Sequence, residues 1–525
     1  MRIAVVGGGP GGLFAAALAK SGDPAREVNV LERNRAEDTF GFGVVFSDAT
    51  LAGISDADPV LRTALAEHGV HWDPIEVRLH GERFSCGGNG MAAVERRTLL
   101  GLLQRRAVET GVDVRFATEA EPDDVLAAGY DLVIAADGAN SRLREHLAGA
   151  FDSTVETAAA KFIWLGTTYP FDGLTFVHER GPHGVFAVHG YPIGNGVSTF
   201  IVETDEDSWR AAGLDEFDVS APPGASDEKS RDYLQRLFAG QIEDAPLLVN
   251  NSRWGNFRTR RTPRWSTRLG ATAVALLGDA AHTAHFSVGS GTKMALEDAV
   301  ALVTALDAHP DDVDAALAAY EEVRRPQVAK IQDSARPSLS WWEHFGRSHD
   351  RLPPWQFAYH FFTRSLTDAR LRRRDEQFVA AAHARWRDEH GADPLGSPLE
   401  VAGCRLPGRV VAVTDRTAEL PGGPLPLRTG PGEGRWGLAV AAPDAEADLP
   451  AALSAAARGL AEGAVLVAVE GGTALTRRLV CEAVRLDHGA VALLVDDGPE
   501  PGPAADDVAV TAVLSGRTDL VGRRS

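Results

Sequence analysis

The residues best suited to chemistry come first in the chain, as Gly7-Gly8-Gly9-Pro10-Gly11-Gly12. In the spacing Gly7-x-Gly9-x-x-Gly12, Gly7 permits a tight turn and Gly9 lets backbone approach a pyrophosphate. Gly12 lets a helix pack closely on a strand. A helix that opens on such a loop offers unpaired N–H groups and a partial positive charge to phosphate. Glu32 follows about 20 residues later, beside Arg33, where a carboxylate accepts hydrogen bonds from ribose hydroxyls. Taken alone the loop does not separate NAD from FAD.

The elements around the loop fit that use. Residues 2–6 (RIAVV) form a short apolar run, a buried parallel strand. An alanine-rich helix follows, and Val28 to Glu32 reads as a second strand, completing a βαβ unit. Residues 130–136 and 271–277 read as further buried strands. Glu95–Glu109 and Lys293–Asp307 read as helices, and Arg325-Pro326 sits in a helix running toward Trp341. Between 160 and 205, aromatic and β-branched residues alternate between Gly, Pro and Asp turns, as in an antiparallel sheet. The expected fold class is α/β. A Rossmann-like dinucleotide-binding domain (1–155 and 255–390) carries an inserted antiparallel sheet domain (156–254). A linker at 391–398 leads to a small α/β domain over 398–525.

Composition narrows the partners. The net charge of -20 argues against nucleic acid and anionic membrane surfaces. Cys86, Cys404 and Cys481 are far apart, which argues against a metal site or a disulfide framework and suits a reducing cytoplasm. The start MRIAVVGGG reads as core strand, so a cytoplasmic protein without a leader is expected.

Two further motifs carry a resemblance. Asp137-Gly138-Ala139-Asn140-Ser141-Arg142 is similar to the DG motif, and Gly278-Asp279-Ala280-Ala281-His282 to the GD motif, of group A flavoprotein monooxygenases. The resemblance implies FAD as cofactor, with NADH or NADPH as a visiting electron donor. Asp279 would hydrogen-bond the FAD ribitol, although a helix N-cap is also open to it. Asp137 and Gly138 would lie near the pyrophosphate and the nicotinamide path, and Arg96 would contact FAD. Reduced flavin would add O2 at C4a, and an electron-rich ring would attack the distal oxygen of the resulting hydroperoxide.

The loop from His282 to Lys293, with His285-Phe286 where most relatives carry proline, resembles the branch acting on aryl-CoA thioesters. That branch includes salicyloyl-CoA 5-hydroxylases and 2-aminobenzoyl-CoA monooxygenases; indole hydroxylases are more distant cousins. The stretches 41–48, 190–192, 199–204 and 335–343 resemble it too. The substrate implied is a small aromatic molecule linked to CoA, such as salicyloyl-CoA hydroxylated at C5. Anthraniloyl-CoA, indoles and free aryl acids are alternatives, as are a non-oxygenating flavin dehydrogenase and an FAD-binding sensor.

His285 is the catalytic candidate, able to bond or deprotonate a substrate hydroxyl, and equally readable as a structural histidine. Gly289 and Gly291 would let backbone approach the flavin ring. His189, Tyr191, Glu203 and Phe286 are candidates for the substrate face, with plain packing as the other reading. Arg258 and Arg260, or Arg372 and Arg373, would meet CoA phosphates unless they belong to solvated faces. The C-terminal segment faintly resembles a reductase barrel, too short for eight βα units. It is expected to keep a few strands, including parts of 464–472 and 490–497, without a second flavin, and to serve packing or a homodimer contact.

Overall fold

The short apolar runs line up side by side. In the computed structural model, Arg2–Val6 pairs in parallel with Glu27–Leu31 on one side and Leu132–Ala135 on the other. Asp113–Arg115 and Thr272–Leu276 extend this sheet in parallel, and Ser266–Leu269 adds an antiparallel edge. The described residues are 1–524 except 40, 48–53, 55, 219–223, 290, 415 and 497–501, with backbone alone at 61 and 288. Asp48 and Ser290, which fall within the stretches 41–48 and His282–Lys293 named above, lie outside them.

Strand order explains where a ligand can sit. The chain leaves the central strand toward one edge, then returns to its other side. This reversal falls between Arg2–Val6 and Leu132–Ala135, and loops beyond the carboxyl ends of such strands frame a crevice. The glycine loop, Asp137-Gly138 and Gly278-Asp279 follow three adjacent strands of that sheet.

The inserted sheet is antiparallel, as the alternation indicates. Thr154–Thr167, Val197–Thr204, Gly184–Gly194 and Leu174–Gly181 pair in that order, and Gly255–Arg261 pairs with Thr154–Thr167. Period-two geometry divides each strand between two faces. Phe186, Val188, Phe200 and Val202 pack on one face with Ile163, Leu165 and Val177. His189, Ile201, Glu203, Phe162 and Trp164 take the other by register.

The chain forms two compact units, Met1–Arg78 with Asn89–Glu343, and Leu79–Gly88 with His344–Ser525. Residues 344–390, expected to close the first domain, belong to the second unit. Gln356 Nε2 donates to the Leu514 carbonyl, and His360 Nδ1 bonds the Ser515 carbonyl, both at 2.9 Å. Within the second unit seven strands close into a barrel, more than the few expected. Strands Val467–Glu470 and Ala492–Asp496 lie inside the two stretches named from sequence. Three helices join the parallel strands, and the antiparallel strand Thr417–Leu420 completes the ring. Val411, Leu425, Leu466, Leu493 and Leu520 belong to an aliphatic core cluster of this barrel. Among the described residues no helix is long and apolar enough to cross a membrane.

Candidate active site

The glycines of the first loop divide by what a side chain would meet. A Cβ on Gly7 would lie 2.3 Å from the Ala136 carbonyl oxygen, and one on Gly12 would lie 2.2 Å from that of Gly7. Gly7 also has φ +107°, which a side chain resists. A Cβ on Gly9 meets nothing within 4 Å, and the same holds at Gly138, Gly289 and Gly291. Two glycines therefore close the turn, and four present bare backbone to open space.

The polar residues bordering that space are in place. Glu32 Oε2 accepts from the Gly8 N–H at 2.6 Å, and Oε1 accepts from Asn34. The carboxylate is thus fixed at the end of its strand, while Arg33 is exposed. Asp137 Oδ2 accepts from the Arg142 N–H at 2.8 Å, so it steadies the short helix after the DG motif. Its Oδ1 is buried without a hydrogen-bond partner. Asp279 is exposed at its surface although protein surrounds it closely, as expected of a side chain in a concavity. This desolvation pushes its carboxyl up, against the attraction of His282 and Arg96. Burial likewise lowers the Arg96 guanidinium from arginine's ordinary value, against the attraction of Tyr191 and Asp279. Arg96 Nε is buried without a hydrogen-bond partner. Bare backbone, a fixed carboxylate and an unused buried donor fit a dinucleotide with hydroxyl and phosphate groups.

Behind the GD turn lies a support the sequence reading missed. Asp298 Oδ2 accepts from the Gly278 N–H at 3.0 Å and from His282 Nε2 at 2.7 Å. Arg324 Nε donates to Asp298 Oδ1 at 2.8 Å. Burial raises the Asp298 carboxyl, but His282 and Arg324 bring it below the usual range. A sequence signal existed. Met294, Asp298, Leu302 and Leu306 make one i, i+4 row on a helix, all buried, with an acid among apolar residues.

The second half of the site is ionic and almost dry. Glu203 is 1% exposed. Its Oε1 lies 3.0 Å from His285 Nε2, and its Oε2 lies 3.1 Å from His189 Nε2. Burial alone would raise the Glu203 carboxyl, but His285 and His189 bring it down to about 2. Aromatic rings surround the group. Phe257 meets His285 edge-on at 5.0 Å, Trp342 lies 4.4 Å from His189, and Phe286 packs against Phe162 and Trp164. Tyr191 is buried on the same sheet face, and burial pushes its phenol up to about 12.

The basic candidates fare differently. Alternation puts Arg258 and Arg260 on the face opposite Phe257. Arg258 is exposed, but Arg260 is buried and donates to the Ala139 carbonyl at 3.3 Å. Arg260 is therefore engaged within the fold. In the second unit, Arg372 donates to Asp368 at 3.1 Å, and Arg373 is exposed.

Fold and site define a flavoprotein: a switch-point crevice that fits FAD, together with a dry aromatic face bearing ionisable groups. A family model described as "FAD binding domain" matches residues 1–335. The chain belongs to the group A flavoprotein monooxygenases, the FAD-dependent aromatic hydroxylases, for which NAD(P)H is the usual reductant. It is 55% identical over 534 residues to a salicyloyl-CoA 5-hydroxylase of a Streptomyces species, covering 99% of both chains. It is 40% identical over 341 residues to the 3-hydroxy-4-methyl-anthranilyl-(aryl-carrier protein) 5-monooxygenase of Streptosporangium sibiricum, covering 65% of this chain and 89% of the relative. The tetrameric form of 2-methyl-3-hydroxypyridine-5-carboxylic acid oxygenase shares the fold, with TM-score 0.51 and 22% identity over 65% of this chain and 92% of that one.

The two glycine classes give separable outcomes. Gly12→Ala is expected to lower the thermal unfolding temperature of the FAD-free protein, because overpacking of this kind costs about 1–3 kcal/mol. Gly9→Ala is expected to leave that temperature unchanged and to weaken FAD binding tenfold or more, read by flavin fluorescence. Equal behaviour of the two variants in both assays would contradict the division.

Glu203 gives a pH outcome. Its folded carboxyl sits at about 2 against a usual 4.5, so its contribution is complete above pH 4.5 and is lost as pH falls toward 2. The amount is on the order of 3 kcal/mol. Denaturant unfolding across that window is expected to show a steeper acid loss for the native chain than for Glu203→Gln. Parallel curves would refute an ionised, paired Glu203.

Proposed function

We propose that this chain is a cytoplasmic enzyme that hydroxylates salicyloyl-CoA at C5, using NAD(P)H and O2. The observation that carries this reading is the 55% identity to a salicyloyl-CoA 5-hydroxylase along 99% of both chains. The site chemistry agrees with it. Bound FAD supplies oxygen activation at the expense of NAD(P)H. Glu32, Asp279 and Arg96 would hold that cofactor, with Gly9, Gly138, Gly289 and Gly291 giving its rings and phosphates close approach.

The remaining work falls to the sheet face. Phe286, Trp164 and Phe162 offer an apolar seat for an aromatic ring. A ring is a better nucleophile when its hydroxyl loses a proton, and the carbon para to a 2-hydroxyl is C5. The Glu203–His285 pair can take up that proton, because the ionised carboxylate stabilises the imidazolium that forms. Dry walls keep water from the activated oxygen. CoA phosphates call for cations, and Arg258 is the exposed candidate in the first unit.

Initial rates of NAD(P)H oxidation with FAD-loaded enzyme test the reading. Salicyloyl-CoA is expected to accelerate oxidation tenfold or more over substrate-free enzyme and to yield a ring-hydroxylated thioester. Free salicylate is expected to do so far less. Equal stimulation by the free acid, or none by the thioester, would overturn the CoA assignment.

A further inference from the structure

His285 cannot meet a substrate hydroxyl directly in this arrangement. It is 2% exposed, and both ring nitrogens are committed, Nε2 to Glu203 at 3.0 Å and Nδ1 to Ser287 Oγ at 2.7 Å. The tautomer follows from the partners. The Ser287 backbone N–H, 3.3 Å from Nδ1, can only donate, so Nδ1 is the acceptor and Nε2 carries the proton toward the Glu203 carboxylate. Ser287 Oγ therefore donates its proton to Nδ1. Ser338 Oγ, 2.9 Å from Ser287 Oγ, then donates to Ser287. One lone pair of the Ser287 oxygen remains.

The surroundings single out Ser287. Glu203 and His189 face His285 from two strands of the sheet, Phe257 packs on it from a third, and Ser338 approaches Ser287 from the long helix Val313–Arg351. Glu203, His189, His285 and Ser338 are all buried, whereas Ser287 is half-buried. It sits two residues before Gly289, whose backbone faces open space.

We propose that Ser287 is the catalytic residue that receives the phenolic proton of the substrate. This rests on the hydroxyaryl thioester reading above. The phenol oxygen gives its proton to Ser287 Oγ while the Ser287 proton passes to His285 Nδ1. The products are a phenolate and an imidazolium, the latter neutralised by Glu203. One O–H bond breaks and one N–H bond forms overall, with no change in oxidation state. His285 acts as the base through Ser287, and His189 is a positioning residue on the far oxygen of Glu203.

The test compares native enzyme, Ser287→Ala and Ser287→Thr, each loaded with FAD. The substrates are salicyloyl-CoA and a ring-fluorinated analogue whose phenol is ionised at the assay pH. Ser287→Ala is expected to lower kcat for hydroxylation of salicyloyl-CoA by about 100-fold, within the range of general acid–base effects. KM and FAD content should stay within threefold, Ser287→Thr should retain most activity, and the pre-ionised analogue should restore Ser287→Ala to within threefold of native. Native kcat in Ser287→Ala, or an equal loss on both substrates, overturns the role of Ser287 alone. Failure of the native enzyme to hydroxylate either thioester overturns the substrate reading and this role with it.

Discussion

A carboxylate removed from water must be paid for by partners, and Glu203 has two. Stranding a buried charge by removing its partner costs about 3–5 kcal/mol. Much of the site is arranged so that this does not happen. The register of two strands brings His189 beside Glu203, and the loop after the GD motif must bend so that His285 reaches the other oxygen. Once His285 is placed there, its second nitrogen turns to Ser287, and the helix bearing Ser338 is tied in. A carboxylate–imidazole pair in a nearly dry aromatic box thus links the inserted sheet, the GD loop and the long helix. Those are the parts that must agree on where an aromatic ring sits.

The flavin side is organised by a different constraint, the close approach of backbone. Gly7 and Gly12 let the first strand, its helix and the neighbouring Ala136 loop touch without side chains between them. The resulting crevice is rimmed by motifs from three adjacent strands. Asp298 keeps the third of these in shape by holding Gly278 and His282 together while Arg324 balances its charge. The GD carboxylate Asp279 is thereby left open to the crevice rather than spent on its own turn.

Much of this was legible in the sequence because local geometry fixes it. The glycine spacing foretold which positions pack and which leave backbone facing open space. Alternation in residues 199–204 split Phe200 and Val202 from Ile201 and Glu203. Long-range pairing was not legible. Nothing local shows that His189 and His285 converge on one carboxylate, or that both nitrogens of His285 are occupied. Arg260 looked like part of a solvated basic run, yet the Ala139 carbonyl, over a hundred residues away in the chain, draws it inward. The boundary near Glu343 was hidden because one helix, Val313–Arg351, crosses it and continues through Pro326 and Pro337. Barrel closure was hidden because an antiparallel hairpin, rather than missing βα units, completes the ring.

On the proposed reading, oxygen activated at the crevice is delivered to a ring held on the Glu203–His285 face. The most direct test of this reading is a turnover with isotopically labelled O2, salicyloyl-CoA and NAD(P)H, followed by mass analysis of the aromatic product. One labelled oxygen per product, placed at C5, is expected. Consumption of NAD(P)H with the label only in hydrogen peroxide or water, and none in the ring, would contradict it.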